Sequence, residues 1–444
     1  MRSRANNDEG CGMRIVIVGG GSRQWGPKLT ADILTTPSLT DADIVLQDID
    51  ESALGPMGDY CRRINRAVGA TATIEAATDR RAALEGADFV AVTITTGGFT
   101  SMAHDLDIPA AYGIRQSVGD TCGPGGINRS LRNIPVLLDI ARDMEAQCPD
   151  AWLLNLTNPM TCLTRAINKE TSIKAVGLCH EVVIFSWLVA IALGVPADAI
   201  GFTVTGVNHL PWITHMTVNG DDGFEVLRKA LAERPEDTAS FAKEHQLKLA
   251  MLDRFGALPG AGDRHVAEFF PSFLTEEAEW GKAWGVYLTS IADRENMETA
   301  YRAELQTIID GDKPVPAWQS GEMVAPIIDS LTTGTRRELP LNLPNAGQAP
   351  YLPDDVVVET MCIVDGDGIR GRDAELPPAP CAEWTRRHVA VQELTVEAGV
   401  MGDADLVRAA MALDPLGGRI DARSIDAMTT ELLAATAQWL PQFA

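Results

Sequence analysis

Residues 14–22, Arg-Ile-Val-Ile-Val-Gly-Gly-Gly-Ser, join a run of β-branched residues to three consecutive glycines. An apolar strand that enters a glycine turn, with a helix predicted over 26–34 behind it, is the arrangement that dinucleotide-binding domains require. Glycines let the backbone turn tightly and approach a pyrophosphate, whose charge the dipole of the following helix stabilises. We therefore predict that Gly19, Gly21 and Ser22 contact a dinucleotide.

The second predicted strand, residues 44–47, ends at Asp48. A carboxylate at this position accepts hydrogen bonds from the adenosine ribose and disfavours a 2′-phosphate, so we predict that Asp48 selects NAD over NADP. Asp48 follows the glycines by more than the usual ~20 residues, which a longer first crossover accommodates. The alternative is that the glycines only turn the chain and that Asp48 is a solvated surface residue.

From residue 14 onwards the sequence alternates short apolar runs with amphipathic stretches, which predicts parallel strands joined by helical crossovers. One such helix is predicted over 130–144, where apolar residues recur at three- and four-residue spacing. The predicted fold class is α/β, a Rossmann-type doubly wound parallel sheet. We predict its strands over 14–18, 44–47, 89–95, 152–156 and 174–178.

The pattern changes after residue 200, where a strand-like run at 202–207 precedes charged helices and loops rich in proline and glycine. We assign 13–200 to an NAD-binding domain and 201–444 to a second, mixed α+β portion. This second portion is expected to bind substrate and form oligomers, interleaved with the first domain. Residues 1–12 are polar and lack the apolar stretch of a secretory signal, so we expect a flexible extension there.

The composition, 444 residues with a formal charge of −24, argues against several classes of partner. Strong negative charge repels nucleic-acid phosphates and anionic membranes, and no apolar run reaches the ~20 residues that span a bilayer. The eight cysteines are scattered without a CxxC pair, which favours a reducing cytoplasm. We therefore expect a cytoplasmic protein that binds a small molecule and neither nucleic acid nor membrane.

Three further segments end a predicted strand or begin a predicted helix: NLTNP at 155–159, GLCHE at 177–181 and GVNH at 206–209. Ligands of open parallel sheets bind at the carboxyl ends of the strands, so we expect these segments to converge. The thiolate of Cys179 and the imidazole of His209 are suited to holding a divalent metal. An isolated Cys or His is more often structural, so the prediction depends on the whole set.

The ordered set of motifs resembles glycoside hydrolase family 4 from residue 13 to at least residue 270. The resemblance implies a fold related to lactate and malate dehydrogenases, the cofactors NAD and Mn²⁺ or another divalent metal, and a dimer or tetramer. The motifs that carry it are GGGS at 19–22, QDID at 47–50, GDTCGPGG at 119–126, NLTNP at 155–159, CHE at 179–181, VNH at 207–209 and GDRHVAEFF at 262–270.

The resemblance also implies roles for single residues near the metal and the nicotinamide. It makes Cys179 and His209 the metal ligands, places Asn155 at the cofactor, and makes Asn158 a substrate-binding residue. For Asn158 the alternative is a turn residue before a proline. Asp120 is expected either to position metal-bound water or to cap a turn.

The mechanism that the resemblance implies explains why a hydrolase would carry a redox cofactor. NAD⁺ takes a hydride from C3 of the sugar, a base removes the C2 proton, the aglycone is eliminated, water adds, and the hydride returns. Asp263 and His180 are the predicted proton-transfer residues, and His180, Arg264 and His265 are predicted to contact the sugar. The alternatives are a solvated loop for 263–265 and a helix-start residue for His180.

The expected substrate is an unphosphorylated α-glycoside, namely an α-glucoside, an α-galactoside or an α-uronide. The resemblance favours it because relatives that act on 6-phosphosugars differ at the residue after the metal cysteine and carry an Arg near 95–98. A malate- or lactate-type NAD-dependent 2-hydroxy acid dehydrogenase is the main alternative, and an NAD-responsive sensor without catalysis is another. Fold alone does not separate these three functions, so the site residues must.

Overall fold

The computed structural model describes residues 12–315 and 319–444. The predicted flexible extension at 1–12 therefore lies outside the described residues except for Gly12. The strands are β1 Arg14–Val18, β2 Asp43–Gln47, β3 Thr73–Ala77, β4 Phe89–Val92, β5 Trp152–Asn155, β6 Lys174–Leu178, β7 Ile200–Val207, β8 Leu210–Val218, β9 Asp221–Asp222, β10 Leu258–Pro259, β11 Arg337–Pro344, β12 Val357–Asp365 and β13 Gly368–Gly371.

The α-helices of the described residues mostly connect strands of the sheet, and the last three of them follow its final strand. They are α1 Trp25–Leu34, α2 Glu51–Val68, α3 Arg80–Leu84, α4 Gly98–Ala111, α5 Gly123–Gln147, α6 Met160–Glu170, α7 Glu181–Leu193, α8 Gly223–Glu233, α9 Pro235–Glu244, α10 Gln246–Phe255, α11 Asp263–Phe269, α12 Ile291–Asp310, α13 Val324–Thr333, α14 Ala379–Met401, α15 Ala404–Leu413 and α16 Ala422–Ala435. Not one of these helices is both long and apolar enough to cross a membrane.

Six strands form the parallel half of the sheet, in the order β3-β2-β1-β4-β5-β6. This is the strand order of dinucleotide-binding domains, and it confirms the predicted Rossmann-type fold. The central strands are buried on both faces, as the consecutive residues Val16 and Ile17 of β1 and Val90 and Ala91 of β4 illustrate. Their almost continuous apolar sequence follows from that double burial.

The second half of the chain extends the same sheet with antiparallel strands. β11 pairs with β6 through Leu341 and Leu178, and the order continues through β12, β7, β8 and β10. Two short strands complete the sheet, because β13 pairs with β12 and β9 pairs with β8. A single mixed sheet therefore contains strands from both halves of the chain. The β7–β8 hairpin lies on the β6 side of the parallel strands.

Helix α5 is the element that connects the core to the edge where the strands end. Its residues Leu131, Ile134, Leu137, Leu138 and Ala141 are buried, as the periodicity predicts. The helix starts at Gly123, directly after a loop over residues 117–122. Its N-terminal half lies beside the segments that follow β4 and β5, because Asn133 accepts the Thr96 N–H and Arg129 donates to the Asn158 carbonyl oxygen.

Candidate functional site

The glycine turn after β1 is packed too closely for any other residue. Gly19 has φ +89°, and a Cβ there would lie 2.0 Å from the carbonyl oxygen of Thr93. A Cβ on Gly21 would lie 2.8 Å from Asp48 Oδ2, to which the Gly21 N–H donates a hydrogen bond of 3.0 Å. The turn and the carboxylate at the end of β2 are therefore a single hydrogen-bonded unit that has no room for other side chains.

Asp48 and Ser22 both help to shape this turn. The second oxygen of Asp48 accepts a hydrogen bond from the Asp50 N–H at 3.0 Å. The Ser22 hydroxyl accepts one from the Trp25 N–H at 3.2 Å, at the start of α1. Gly26 completes the motif, because a Cβ there would lie 2.6 Å from the Gly20 carbonyl oxygen. The third glycine is therefore present, displaced along the chain from its usual spacing.

The segment after β5 is fixed by its own side chains. The buried Asn155 amide donates to the Thr157 carbonyl at 3.2 Å and to Thr164 Oγ1 at 3.1 Å, and its oxygen accepts from the Thr157 N–H at 2.9 Å. The Thr157 hydroxyl in turn accepts from the Ile94 N–H after β4, at 3.0 Å. Asn155 thus shapes the turn that presents Asn158, and its contact with a cofactor stays a prediction.

Asn158 lies beside Asp120. Its carbonyl oxygen accepts hydrogen bonds from Arg129 Nε at 3.1 Å and Asn133 Nδ2 at 3.3 Å, both from α5. Its side-chain nitrogen lies 3.5 Å from Asp120 Oδ2. The side-chain oxygen is buried and has no hydrogen-bond partner among residues 12–315 and 319–444, so it is free to bind a ligand.

His209 occupies the tight turn between β7 and β8 with φ +63°, a conformation that is costly for a residue with a Cβ. Its Nδ1 lies 2.7 Å from Thr121 Oγ1, and its ring stacks on that of His265. Burial and the neighbouring His265 lower the pKa of His209 to about 3. The imidazole is therefore neutral, with Nδ1 occupied and Nε2 available.

Three side chains form a cluster suited to a metal ion: Asp120, His209 and His265. One potential ligand atom from each lies within 4.8 Å of the others. Burial would raise the pKa of Asp120, but His265, His209 and Arg129 outweigh it and hold the pKa well below its usual range. His265 Nδ1 lies 3.6 Å from Asp120 Oδ1 and, within the described chain, has no hydrogen-bond partner.

This cluster includes His209 of the predicted metal pair but not Cys179. The Cys179 thiol is buried close to the Asn208 side chain, and burial together with the carboxylates of Glu359 and Glu181 raises its pKa. Cys179 as a metal ligand stays a prediction. The sequence analysis gave Asp120 and His265 other roles and did not identify them as ligands.

His180 begins α7, and its position is fixed by Glu322. His180 Nδ1 lies 2.9 Å from Glu322 Oε1, and Lys28 Nζ of helix α1 lies 2.6 Å from the same oxygen. Glu322 is almost fully buried. This contact occupies Nδ1 and leaves Nε2 of His180 for another partner.

Glu181, which the sequence analysis did not single out, is central to the charge balance. Its Oε2 accepts the Gly262 N–H at 2.7 Å, which connects α7 to the loop before α11. Burial would raise the pKa of Glu181, but His265 and His209 outweigh it and hold the pKa at about 2. The CHE motif was the signal that could have identified this carboxylate.

Asp263 and Arg264 are engaged in contacts within the protein. The carboxylate of Asp263 accepts the Leu247 N–H at 2.8 Å and the Lys248 N–H at 3.3 Å, so it caps the start of α10. Burial raises the pKa of Asp263 to about 6, although Lys248 opposes the shift. Arg264 Nη2 donates to Thr289 Oγ1 and lies 3.5 Å from the Ser117 carbonyl oxygen. Their roles toward a substrate stay predictions.

Comparison with known proteins covers nearly the whole chain. The model of the family 4 glycosyl hydrolases matches residues 14–195, and that of the family 4 glycosyl hydrolase C-terminal domain matches residues 204–417. An alpha-galactosidase of Bacillus subtilis (strain 168) is 32% identical over 97% of this chain and 99% of its own. An alpha-galacturonidase of Lachnoclostridium phytofermentans is 32% identical over 98% of both chains.

Solved structures agree with this relationship. A Bacillus subtilis protein described as a glucosidase superposes with a TM-score of 0.86 at 29% identity, over 95% of this chain and 100% of its own. A 6-phospho-alpha-glucosidase from gut microorganisms, in complex with NAD and Mn²⁺, has a TM-score of 0.80 at 20% identity over 98% and 100%. A malate dehydrogenase of Plasmodium falciparum shares the fold at a TM-score of 0.55 and 13% identity, over 89% and 99%. This chain belongs to the family 4 glycosyl hydrolases.

Proposed function

We propose that the protein hydrolyses an unphosphorylated α-glycoside with the help of NAD and a divalent metal, Mn²⁺ being the first candidate. The observation that carries the proposal is the Asp120–His209–His265 cluster, which lies beside Asn158 at the carboxyl end of the parallel strands. The glycine turn after β1 opens at the same edge of the sheet, where ligands of such folds bind. Family membership and the relatives named alpha-galactosidase and alpha-galacturonidase support the reaction class.

The residues at the glycine turn fit a dinucleotide. Gly19 and Gly21 leave no room for a side chain at the turn, and α1 follows directly behind it. We propose that Gly19, Gly21 and Ser22 hold the pyrophosphate, that Asp48 binds the ribose, and that Asn155 supports the nicotinamide end. The structure of a 6-phospho-alpha-glucosidase that contains NAD and Mn²⁺ supports this choice of cofactors.

The donor set at the cluster fits a divalent metal ion. One carboxylate and two imidazoles lie close together, and the unpartnered Nδ1 of His265 fits a site that a ligand completes. We propose that His209, Asp120 and His265 hold the ion, with Cys179 as a further ligand. When bound, NAD⁺ supplies a reversible hydride acceptor for C3 of the sugar, and the metal supplies Lewis acidity at the neighbouring oxygens.

The chain itself orients the sugar and moves the protons. We propose that the free oxygen of Asn158 accepts a hydrogen bond from a sugar hydroxyl and that Arg264 contacts the same ring. Glu322 fixes the His180 ring so that Nε2 faces the substrate and exchanges a proton with it. Asp263 is the proposed C2 base, and a pKa raised by burial to about 6 suits a base that works near neutral pH.

We further propose the division into an NAD-binding part, 13–200, and a part for substrate binding and oligomerisation, 201–444. The antiparallel strands that follow residue 200 carry His209 to the site, which supports a substrate-side role. For an assembly of two or four copies, the exposed Trp187 and Ile191 lie one turn apart on α7, where apolar surface favours association. Light scattering of the purified protein would measure the subunit number.

The test is hydrolysis of p-nitrophenyl glycosides, α and β, neutral, uronate and 6-phosphorylated, with NAD⁺ and Mn²⁺ each added or withheld. We expect release of p-nitrophenol from an unphosphorylated α-glycoside only when both additions are present, without lasting NADH. No release from any glycoside, together with NADH that accumulates from a 2-hydroxy acid, would replace the proposal with the dehydrogenase alternative. Activity independent of NAD⁺ would also contradict it.

A further inference from the structure

Three arginines from three different helices contact either the loop that precedes α5 or the segment that follows β5. Arg294 of α12 donates from Nη2 to the Val118 carbonyl oxygen at 2.8 Å. Arg264 of α11 lies 3.5 Å from the carbonyl oxygen of the preceding residue, Ser117. Arg129 of α5 donates to the Asn158 carbonyl oxygen, next to the side chain that lies against Asp120. Arg294 and Arg264 thus contact the loop that leads to Asp120, and Arg129 contacts the segment that carries Asn158.

None of these three arginines has a carboxylate within 4 Å among residues 12–315 and 319–444. Arg132, one turn further along α5, shows the contrast. It is fully buried and forms a bidentate ion pair with Asp105, with Nη1 2.8 Å from Oδ1. A buried arginine whose role is structural is thus paired in this helix, and Arg129 is buried without such a partner.

The unpaired guanidinium groups also have unused donors. Arg129 Nη1 and Arg294 Nε are buried, and neither has a hydrogen-bond acceptor in the part of the chain that the structure describes. Asp120, which also faces the two histidines, supplies negative charge near both arginines. The unused buried donors, rather than a net excess of charge, are therefore the observation that points to a ligand.

We propose that Arg129, Arg294 and Arg264 bind the carboxylate of a uronic acid, so that the glycone of the substrate is a hexuronate. This inference rests on the proposed function and narrows its substrate class. The group that the arginines would bind is an anionic oxygen group on the sugar, and a phosphate ester would also supply such a group. Each of two arginines has one free donor, so a carboxylate bound between them would accept one hydrogen bond at each oxygen. Hydrogen bonds between a guanidinium and a carboxylate are strong because both groups are charged.

The test compares p-nitrophenyl α-galacturonide with the neutral α-galactoside and its 6-phosphate, at saturating NAD⁺ and Mn²⁺. We expect the wild-type kcat/KM to be highest for the uronide. Arg294→Gln should lower kcat/KM for the uronide roughly 10- to 100-fold, because a hydrogen bond to a charged group is lost, and change the value for the galactoside less than about twofold. Arg302→Gln, on the exposed side of the same helix, is the matched control.

Each contrary result has a distinct meaning. A wild-type preference for the neutral or phosphorylated sugar, or equal losses on uronide and galactoside in Arg294→Gln, would overturn the uronate proposal and leave the proposed function standing. Absence of hydrolysis on every substrate would contradict the proposed function instead. In that case calorimetric titration with galacturonate and with galactose still tests the arginines. Binding of galacturonate alone that Arg294→Gln weakens tenfold would support them, and equal or no binding of the two sugars would overturn the proposal.

Discussion

His209 and His265 stack with their ring centroids 3.9 Å apart and their planes inclined by 29°. Burial makes the charged form of His209 costly, and a second imidazolium at this distance would add repulsion. Burial and the stack therefore keep His209 neutral, which is the form that binds a metal. Asp120 next to the stack supplies negative charge that offsets that of a divalent ion.

This arrangement predicts that Asp120 and His265 contribute to metal affinity. We expect Asp120→Asn and His265→Gln each to weaken Mn²⁺ binding at least tenfold, since substitutions around metal sites cost about that much. Titration of free Mn²⁺ by electron paramagnetic resonance would measure the affinity. His215→Gln, an exposed histidine on β8, should bind like the wild type. If Mn²⁺ affinity is unchanged in both variants but lost in Cys179→Ser, the metal binds at Cys179 and not at the Asp120–His209–His265 cluster.

The glycine turn predicts a sharp difference between two glycines that both have positive φ. Gly19→Ala places a Cβ 2.0 Å from the Thr93 carbonyl oxygen, whereas Gly69 has φ +71° and no atom within 4 Å of the new Cβ. We expect Gly19→Ala to abolish NADH binding, followed by fluorescence, and to lower Tm. Gly69→Ala pays only the conformational cost of about 1 kcal/mol and should bind NADH normally. Normal NADH binding by Gly19→Ala would place the dinucleotide elsewhere.

The parallel half of the fold was predictable from sequence because its strands are buried on both faces. The predicted bounds of β1 and β6 are those of the structure, whereas β4 and β5 end before the predicted 95 and 156. The prediction missed β3, an edge strand with three exposed residues among five and no apolar run. The antiparallel extension was not predictable, because β11 pairs with β6 although four other strands lie between them along the chain.

The candidate site was predictable only where a motif follows a strand. His209 and Asn158 have such positions, and the structure brings both of them to Asp120. Asp120 and His265 come together through long-range packing instead. The carboxylate of Glu268, in the same helix as His265, accepts the N–H groups of Val118 at 2.5 Å and Gly119 at 2.8 Å. The spacing of these residues along the sequence does not predict that contact.

Asp263 has two proposed roles, as the cap of α10 and as the C2 base, and different substitutions separate them. Asp263→Ala removes the cap of α10 and leaves the buried Lys248 without its nearby carboxylate, so we expect a fall in Tm equivalent to at least about 1–2 kcal/mol. Asp263→Asn keeps an oxygen acceptor for the cap but cannot remove a proton. It should retain most of the stability and lose about 100-fold or more in kcat.

The matched control is Asp222→Asn, because Asp222 caps α8 in the same way, at Phe224 and Glu225, on an exposed helix. Its kcat should equal that of the wild type. Circular dichroism melts and steady-state kinetics under the same conditions measure both effects. A wild-type kcat in Asp263→Asn would leave the cap as the role of Asp263 and require another base.

Glu359 predicts a pH dependence of stability. It is fully buried in β12, and Asn208 Nδ2 and Asn342 Nδ2 donate to its Oε2 at 3.2 and 3.3 Å. Burial raises the pKa of Glu359 from 4.5 to about 7, although the two amides oppose the shift. Between these two values the folded protein binds more protons at this site than the unfolded chain, so the stability falls as the pH rises.

Glu359→Gln removes this penalty, because the side chain keeps its shape and carries no charge. The variant and the wild type should unfold alike near pH 4, and near pH 8 the variant should be more stable by up to about 3 kcal/mol. Urea unfolding at both pH values, with EDTA present so that metal does not perturb the neighbouring Cys179, measures the difference. Glu295→Gln, on the exposed side of α12, should show no such gain. A Glu359→Gln protein that is less stable than the wild type near pH 8 would mean that the ionised carboxylate holds Asn208 and Asn342 in place.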